Sequence, residues 1–326
     1  MTSSLIELNE VSKTFGSVEA LRGVSLSVAP GEMIGLIGHN GAGKSTLFKL
    51  MLGLLTASAG SVRVQGVDTA SSAFRQVRRR IGYLPETFVT YDNLSGLEVL
   101  QLFADLKKVP RGACAGVLEQ VGLSQAAGRR VHTYSKGMRQ RLGFAQALLG
   151  DPALIFLDEP TNGLDPEGIA DFYATLRDVR ARGATIVITS HILAEIQERV
   201  DRLLIMHSGR VASQGTLAQL RARVVLPSTI VATLRPGVVE QAETALAAAL
   251  APLPDTAWGL AQGPDHASAT ASGKAPAGQQ LTIACPSGQK MAVLSALAGL
   301  ALDVSIHEPT LEQLFLGHGG AHVHAH

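Results

Sequence analysis

The residues whose types and spacing could do chemistry begin with Gly38-His39-Asn40-Gly41-Ala42-Gly43-Lys44-Ser45, followed by Thr46. This run fits the spacing GxxxxGK[ST], between an apolar strand pattern and a helical one (Leu47, Leu50, Met51, Leu54). Glycines let the backbone curl until successive N–H groups point inward at phosphate oxygens. A helix starting there turns its positive end on the same anion. Lys44 would reach the β- and γ-phosphates of a nucleoside triphosphate, and the Ser45 hydroxyl would take a Mg²⁺ position. At His39 the backbone N–H matters more than the ring.

A second stretch, Leu154-Ile155-Phe156-Leu157-Asp158-Glu159, is an apolar strand ending in two acids. In an open α/β sheet, ligands bind beyond the carboxyl ends of the strands. Asp158 would hold Mg²⁺ through water, and Glu159 would sit beside the γ-phosphate and polarise the attacking water. Ser190-His191 follows another buried strand pattern. Tyr134-Ser135-Lys136-Gly137-Met138-Arg139-Gln140 precedes a helical run to Leu149, and Asn162-Gly163-Leu164-Asp165-Pro166 follows the acids closely.

In this order and spacing, the set resembles the ATPase subunit of ABC transporters, over residues 5 to about 220. The resemblance implies an α/β P-loop NTPase of the ABC ATPase type, with a parallel sheet core, an antiparallel edge and a helical subdomain. It implies ATP and Mg²⁺ as cofactors and a head-to-tail dimer with a second copy of itself. Phe15 matches the aromatic that stacks on adenine. Ser135 and Gly137 match the signature loop that meets the γ-phosphate held by the other copy. Asp165 matches the dimer-interface loop, and His191 the switch histidine at the γ-phosphate. Two departures stand out. Lys136 and Met138 alter the signature, and Glu86 replaces the family's usual glutamine in Ile81-Gly82-Tyr83-Leu84-Pro85-Glu86. Glu86 is a candidate for Mg²⁺ and for coupling to a membrane subunit; the alternative is a plain solvated acid.

Gly82 to Glu86, Tyr134 to Gly143, Gln146 to Gly150 and His307 to Phe315 are similar to one branch, the ATPase of the copper ABC transporter for nitrous oxide reductase maturation. That resemblance implies a multi-span membrane permease and a periplasmic β-helical copper-handling protein as partners. It also implies a place at the cytoplasmic face of the inner (plasma) membrane, peripheral through the permease. The cargo would be copper, with a sulfur species as an option. An exporter of drugs, lipids or sodium is the alternative. A soluble ABC protein acting on ribosomes or in DNA repair is the third reading, disfavoured by a single motif set without a heptad insertion.

These stretches need elements to position them, and the composition supplies the material. The chain has 326 residues, 46% hydrophobic and 17% charged, which excludes a disordered chain. Lys and Arg total 28 against 27 Asp and Glu, so bulk charge gives no sign of a nucleic-acid partner. Cys114 and Cys285 form no CxxC pattern, which fits a reducing compartment. No signal-peptide pattern opens the sequence, and no apolar run reaches the ~18 residues of a membrane span. Met33–Gly38, Ala153–Leu157 and Ala184–Thr189 read as strands buried on both faces. Leu5–Leu8 and Val24–Val28 alternate, as in an antiparallel edge. Ser95-Gly96-Leu97-Glu98 is a capping box opening a helix, and Glu167–Arg182 is a second helix.

The expected domains are 1–225 for the ATPase, with its helical subdomain at about 87–150, then 226–316 for a small α+β domain, then a tail at 317–326. In the second domain, strands are expected at Ser228–Leu234, Gln280–Ala284 and Asp303–Ile306, and helices at Val239–Leu250, Gln289–Leu300 and Thr310–Leu316. Ala251–Gly278 reads as a surface loop or a frayed insertion. His318, His322, His324 and His326 could chelate Cu or Zn from a flexible tail; the alternative is a disordered tail that binds metal only at high concentration. His207 and His266 read as ordinary surface residues.

Overall fold

In a computed structural model of the chain, residues 4–223, 228–250, 257–259, 280–285 and 287–307 are described. The chain divides into two compact units, Met1–Leu220 and Arg221–His326.

The first unit opens with a long antiparallel pair, β1 (Ile6–Phe15) and β2 (Val18–Val28). The buried strand β3 (Met33–Ile37) leads through the glycine loop into α1 (Lys44–Met51). Then come β4 (Ala59–Val64), β5 (Val67–Asp68), α2 (Phe74–Arg79) and β6 (Ile81–Leu84). Three helices follow: α3 (Gly96–Lys107), α4 (Ala113–Gln120) and α5 (Lys136–Leu148). The chain then alternates through β7 (Leu154–Leu157), α6 (Pro166–Ala181), β8 (Thr185–Ser190) and α7 (Leu193–Ile196). A hairpin, β9 (Arg202–His207) and β10 (Arg210–Gly215), and then α8 (Leu217–Arg223) follow.

Two sheets result. One is antiparallel, in the order β2-β1-β4-β5. The other has the order β10-β9-β3-β8-β7-β6 and is parallel except at β10. Every residue of β3, β7 and β8 is buried, as continuous apolar runs require when both faces are covered. One core joins the two sheets through α1. Leu47, Phe48, Leu50 and Met51 share a cluster with Ile6, Leu26 and Val62 on one side and Leu36, Phe156 and Val187 on the other. Phe48 meets Phe156 edge-on at 5.3 Å. Each such buried side chain contributes roughly 1.5–3 kcal/mol.

The capping box forms at α3: Ser95 Oγ accepts from Glu98 N, and Ser95 N donates to the Glu98 carboxylate at 2.8 Å. Those backbone and hydroxyl bonds hold the Glu98 carboxyl below the usual range. The edge strands run longer than the sequence alternation suggests. Register shifts between Leu8 and Lys13, with Glu10 at φ 48, carry β1 past the point where alternation stops.

The second unit comprises β11 (Ser228–Leu234), α9 (Val239–Leu250), β12 (Ala257–Gly259), β13 (Gln280–Cys285), α10 (Lys290–Leu297) and β14 (Ala301–His307). Its sheet is antiparallel in the order β12-β13-β11-β14. Ile230, Ala232, Leu234, Leu281 and Ile283 face Ala242, Leu246, Val293 and Leu297 of the two helices in a core of their own. One expectation is corrected here. Residues 257–259, placed in a loop by their Pro/Gly-rich surroundings, pair with Thr282–Ala284 as a short strand. Three residues paired through backbone leave no mark in composition. The expected domain boundary at 225/226, His266, the helix expected at 310–316 and the tail 317–326 lie outside the described residues.

Candidate functional site

The loop after β3 is shaped by close approach. Gly43 has φ 103, and a Cβ there would stand 2.8 Å from Leu21 Cδ2 and 2.9 Å from the Ala20 carbonyl, so only glycine fits. At Gly41 a Cβ would meet nothing within 4 Å, so the loop's backbone is open to the cleft. Lys44, the first residue of α1, is buried. Its Nζ donates to the Gly38 carbonyl at 2.5 Å and lies 3.8 Å from Glu159 Oε1. Burial pushes its pKa down, while Glu159, Asp158 and Glu86 push it back up.

The end of β7 supplies the acids and the end of β8 holds them in place. Thr189 Oγ1 donates to Asp158 Oδ1 at 2.7 Å and accepts from the Glu159 N–H at 2.9 Å. Burial raises the Asp158 pKa, the Thr189 bond opposes it, and Glu86 and Glu159 add to it. Burial, followed by Asp158 and Glu86, pushes the Tyr83 phenol up to about 12. Glu159 is buried with its backbone in the left-handed region, φ 47. Its Oε2 lies 2.8 Å from His191 Nδ1.

These groups line one cleft of about 420 Å³: residues 39–46, Glu86, Asp158, Glu159 and His191, joined by Ala20 and Asn162. The structure thus brings the glycine loop, both acids, Glu86 and His191 together. Gly38 contributes the carbonyl that Lys44 meets. Phe15 is 46% exposed at the end of β1, outside that lining, with Lys13 Nζ 5.1 Å from its ring centroid. Ser135, Gly137 and Asp165 are also outside it. Ser135 Oγ caps α5 by accepting from Met138 N at 3.2 Å, and Asp165 caps α6 by accepting from Gly168 N at 3.0 Å. His207, expected as an ordinary surface residue, is exposed at the end of β9, and its ring stands edge-on to His39 at 5.0 Å, because β9 ends beside the glycine loop. His39 Nδ1 is 2.7 Å from the Asn40 carbonyl, so that nitrogen carries the proton.

Sequence reasoning missed Thr189, Asn162 and Gln140, whose Nε2 donates to the Pro160 carbonyl at 2.8 Å from a buried position. Each had a signal: Thr189 is the polar residue at the end of an apolar run, and Gln140 and Asn162 lie in the runs Tyr134–Gln140 and Asn162–Pro166 singled out above without a role of their own.

The donor set fits a Mg²⁺-triphosphate: an open glycine cradle, a buried ammonium, the Ser45 hydroxyl, and an Asp158 carboxylate held by Thr189. Among the described residues, no three His, Cys, Asp or Glu gather to hold a metal unaided. A divalent ion here would need phosphate oxygens to complete its shell, as Mg²⁺ does beside nucleotides.

Residues 21–162 match the family model described as ABC transporter. An uncharacterised ABC transporter ATP-binding protein of Bacillus subtilis, YdbJ, is 38% identical over 67% of this chain and 71% of its own length. The daunorubicin resistance ATP-binding protein DrrA3 of Streptomyces coeruleorubidus is 36% identical over 68% of this chain and 71% of its own. A solved structure of an ATP-binding subunit of an ABC transporter superposes with TM-score 0.63 at 33% identity, covering 68% of this chain and 93% of that one. The ATP-binding cassette MJ0796, a dimer bound to ADP and Pi, superposes with TM-score 0.61 at 25% identity, covering 65% and 98%.

Proposed function

The chain belongs to the ABC transporter ATP-binding family, and on that premise we propose that it hydrolyses ATP to power a multi-span membrane permease. The observation that carries this reading is the convergence of Lys44, Asp158, Glu159 and His191 on one cleft at the ends of β3, β7 and β8.

In this reading, backbone N–H groups of residues 39–46 cradle the phosphates, and Lys44 leaves the Gly38 carbonyl for phosphate oxygens. Ser45 and Asp158 would hold Mg²⁺, with Glu86 as a further acid near the site, and its role when bound would be to neutralise phosphate charge. Glu159 orients the attacking water and accepts its proton, and His191, already bonded to Glu159, fixes the direction of that carboxylate. Two copies close head to tail, with the Ser135–Gly137 turn and the Asp165 loop of one facing the nucleotide of the other, and Phe15 against adenine. The likeness to a dimeric cassette supports this arrangement. Attachment at the inner face through the permease is part of this reading; among the described residues, no helix is long and apolar enough to cross a membrane.

For the cargo, the runs Gly82–Glu86 and Tyr134–Gly143 support copper, or a sulfur species, for nitrous oxide reductase maturation, with a periplasmic β-helical copper-handling protein as third partner. A second reading, drug export, is favoured by the relative named for daunorubicin resistance. Affinity capture of the chain from solubilised host membranes separates them. A permease with a secreted β-helical protein favours copper; a permease alone favours export.

The ATPase itself is tested at Glu159. Glu159→Gln keeps ATP binding, loses hydrolysis by roughly 100-fold or more, and accumulates a dimer with ATP in light scattering. A variant that stays monomeric with ATP bound, or hydrolyses like the parent, removes Glu159 from this role.

A further inference from the structure

The stem of Lys136, at the first position of α5, lies over the backbone of Gly163. A Cβ built on Gly163 would lie 2.6 Å from Lys136 Cδ and Cε and 2.8 Å from Cγ. The lysine stem therefore occupies the space over Gly163, whose φ of 88 suits glycine. The next residue belongs to the same contact: a Cβ on Gly137 would be 3.3 Å from the Gly163 carbonyl and 3.6 Å from Leu164 Cδ2. One turn on, Gln140 holds the Pro160 carbonyl. Positions 136, 137 and 140 share one side of the helix. That side follows the chain from Pro160 to Leu164, which runs on directly from Glu159, and Asn162 within it lines the cleft.

A cation at the first position of a helix opposes the helix dipole. Within one chain the dipole therefore gives no reason for a cation, whereas a long stem that packs while its head stays in water gives a reason for lysine. We propose that Lys136 is a positioning residue: its stem fastens the start of α5 to the loop Asn162–Asp165, so that changes at the chain's own nucleotide cleft reach Ser135 and Gly137. The consequence for a dimer rests on the ATPase reading above; the contact itself lies within one chain.

The test uses the full chain with Lys136→Ala and Lys136→Met, the second keeping a linear stem without charge. Two readouts are taken: hydrogen exchange at the Leu164 amide, which bonds to the Thr161 carbonyl at 3.0 Å, and the ATP concentration that half-assembles the dimer in a Glu159→Gln background. Lys136→Ala is expected to speed exchange and raise that concentration, each by roughly three- to tenfold, with fluorescent ATP-analogue binding to the monomer unchanged; Lys136→Met restores both. Unchanged exchange in Lys136→Ala overturns the fastening. Faster exchange with unchanged assembly overturns the coupling. A Met variant as impaired as Ala shows that charge is what counts, and also overturns it. If the Lys136-bearing parent fails to dimerise with ATP, the dimer reading is what fails, and exchange alone decides the contact.

Discussion

The two units are built from similar apolar residues and use their sheets differently. In β3, β7 and β8 every position is buried and the strands run the same way. Their ends therefore share one rim, and the loops leaving it deliver Lys44, Asp158, Glu159 and His191 to one place. In the second unit β11 alternates between buried and half-buried positions, and its neighbours run against it. Strand ends there are divided between two rims. Ser228 is the one buried polar side chain among the described residues of that unit. Parallel strands concentrate chain turns, and so chemistry, at one edge; antiparallel strands disperse them.

The largest test of this contrast is Lys44→Ala. It removes the one buried cation of the cleft, and ATP affinity should fall by roughly 100-fold, about 3 kcal/mol. Calorimetry showing unchanged affinity would break the link between the shared rim and the nucleotide. Next comes Ile230→Ala, in the core of the second unit. It should cost about 2–5 kcal/mol in the unfolding of that unit and leave ATP affinity within about twofold. A tenfold loss of affinity would mean that the two sheets do not work separately.

A smaller effect sharpens the contrast by pH. Lys107, at the end of α3, donates to the carbonyls of Gln146 and Leu149 at 3.1 and 3.4 Å, and burial lowers its pKa to about 8. Between about pH 8 and 10 the unfolded chain holds this proton and the folded chain does not. Stability of the first unit should therefore rise with pH across that window. Relative to Lys107→Met, the rise should be about 2 kcal/mol, read from denaturant midpoints of each unit at both ends of the window. A parallel slope in wild type and variant would remove Lys107 as its source.

The sequence made legible what is carried by local spacing. The glycine loop, the acids after an apolar run, the Ser95 capping box and the Pro166 helix start are each determined within a few residues. What escaped depends on contacts across the chain. Thr189 bridges Asp158 and Glu159 from 31 and 30 positions away, and Gln140 meets Pro160 from 20 away. His207 meets His39 only because β9 lies beside β3. β12 was invisible because its three residues are defined by a partner strand rather than by a pattern of their own. In the second unit, the alternation of strands and helices was readable, but the order β12-β13-β11-β14 was not, since similar alternations permit several orders.

The left-handed backbone at Glu159 puts stability and turnover in opposition at a single codon. For a residue other than glycine, that conformation costs on the order of 1–3 kcal/mol. Glycine and asparagine would relax it, and both would discard the carboxylate. Drift toward a sturdier protein at this position therefore leads to an inert one. Thermal hardening screens that ignore hydrolysis would enrich these replacements first.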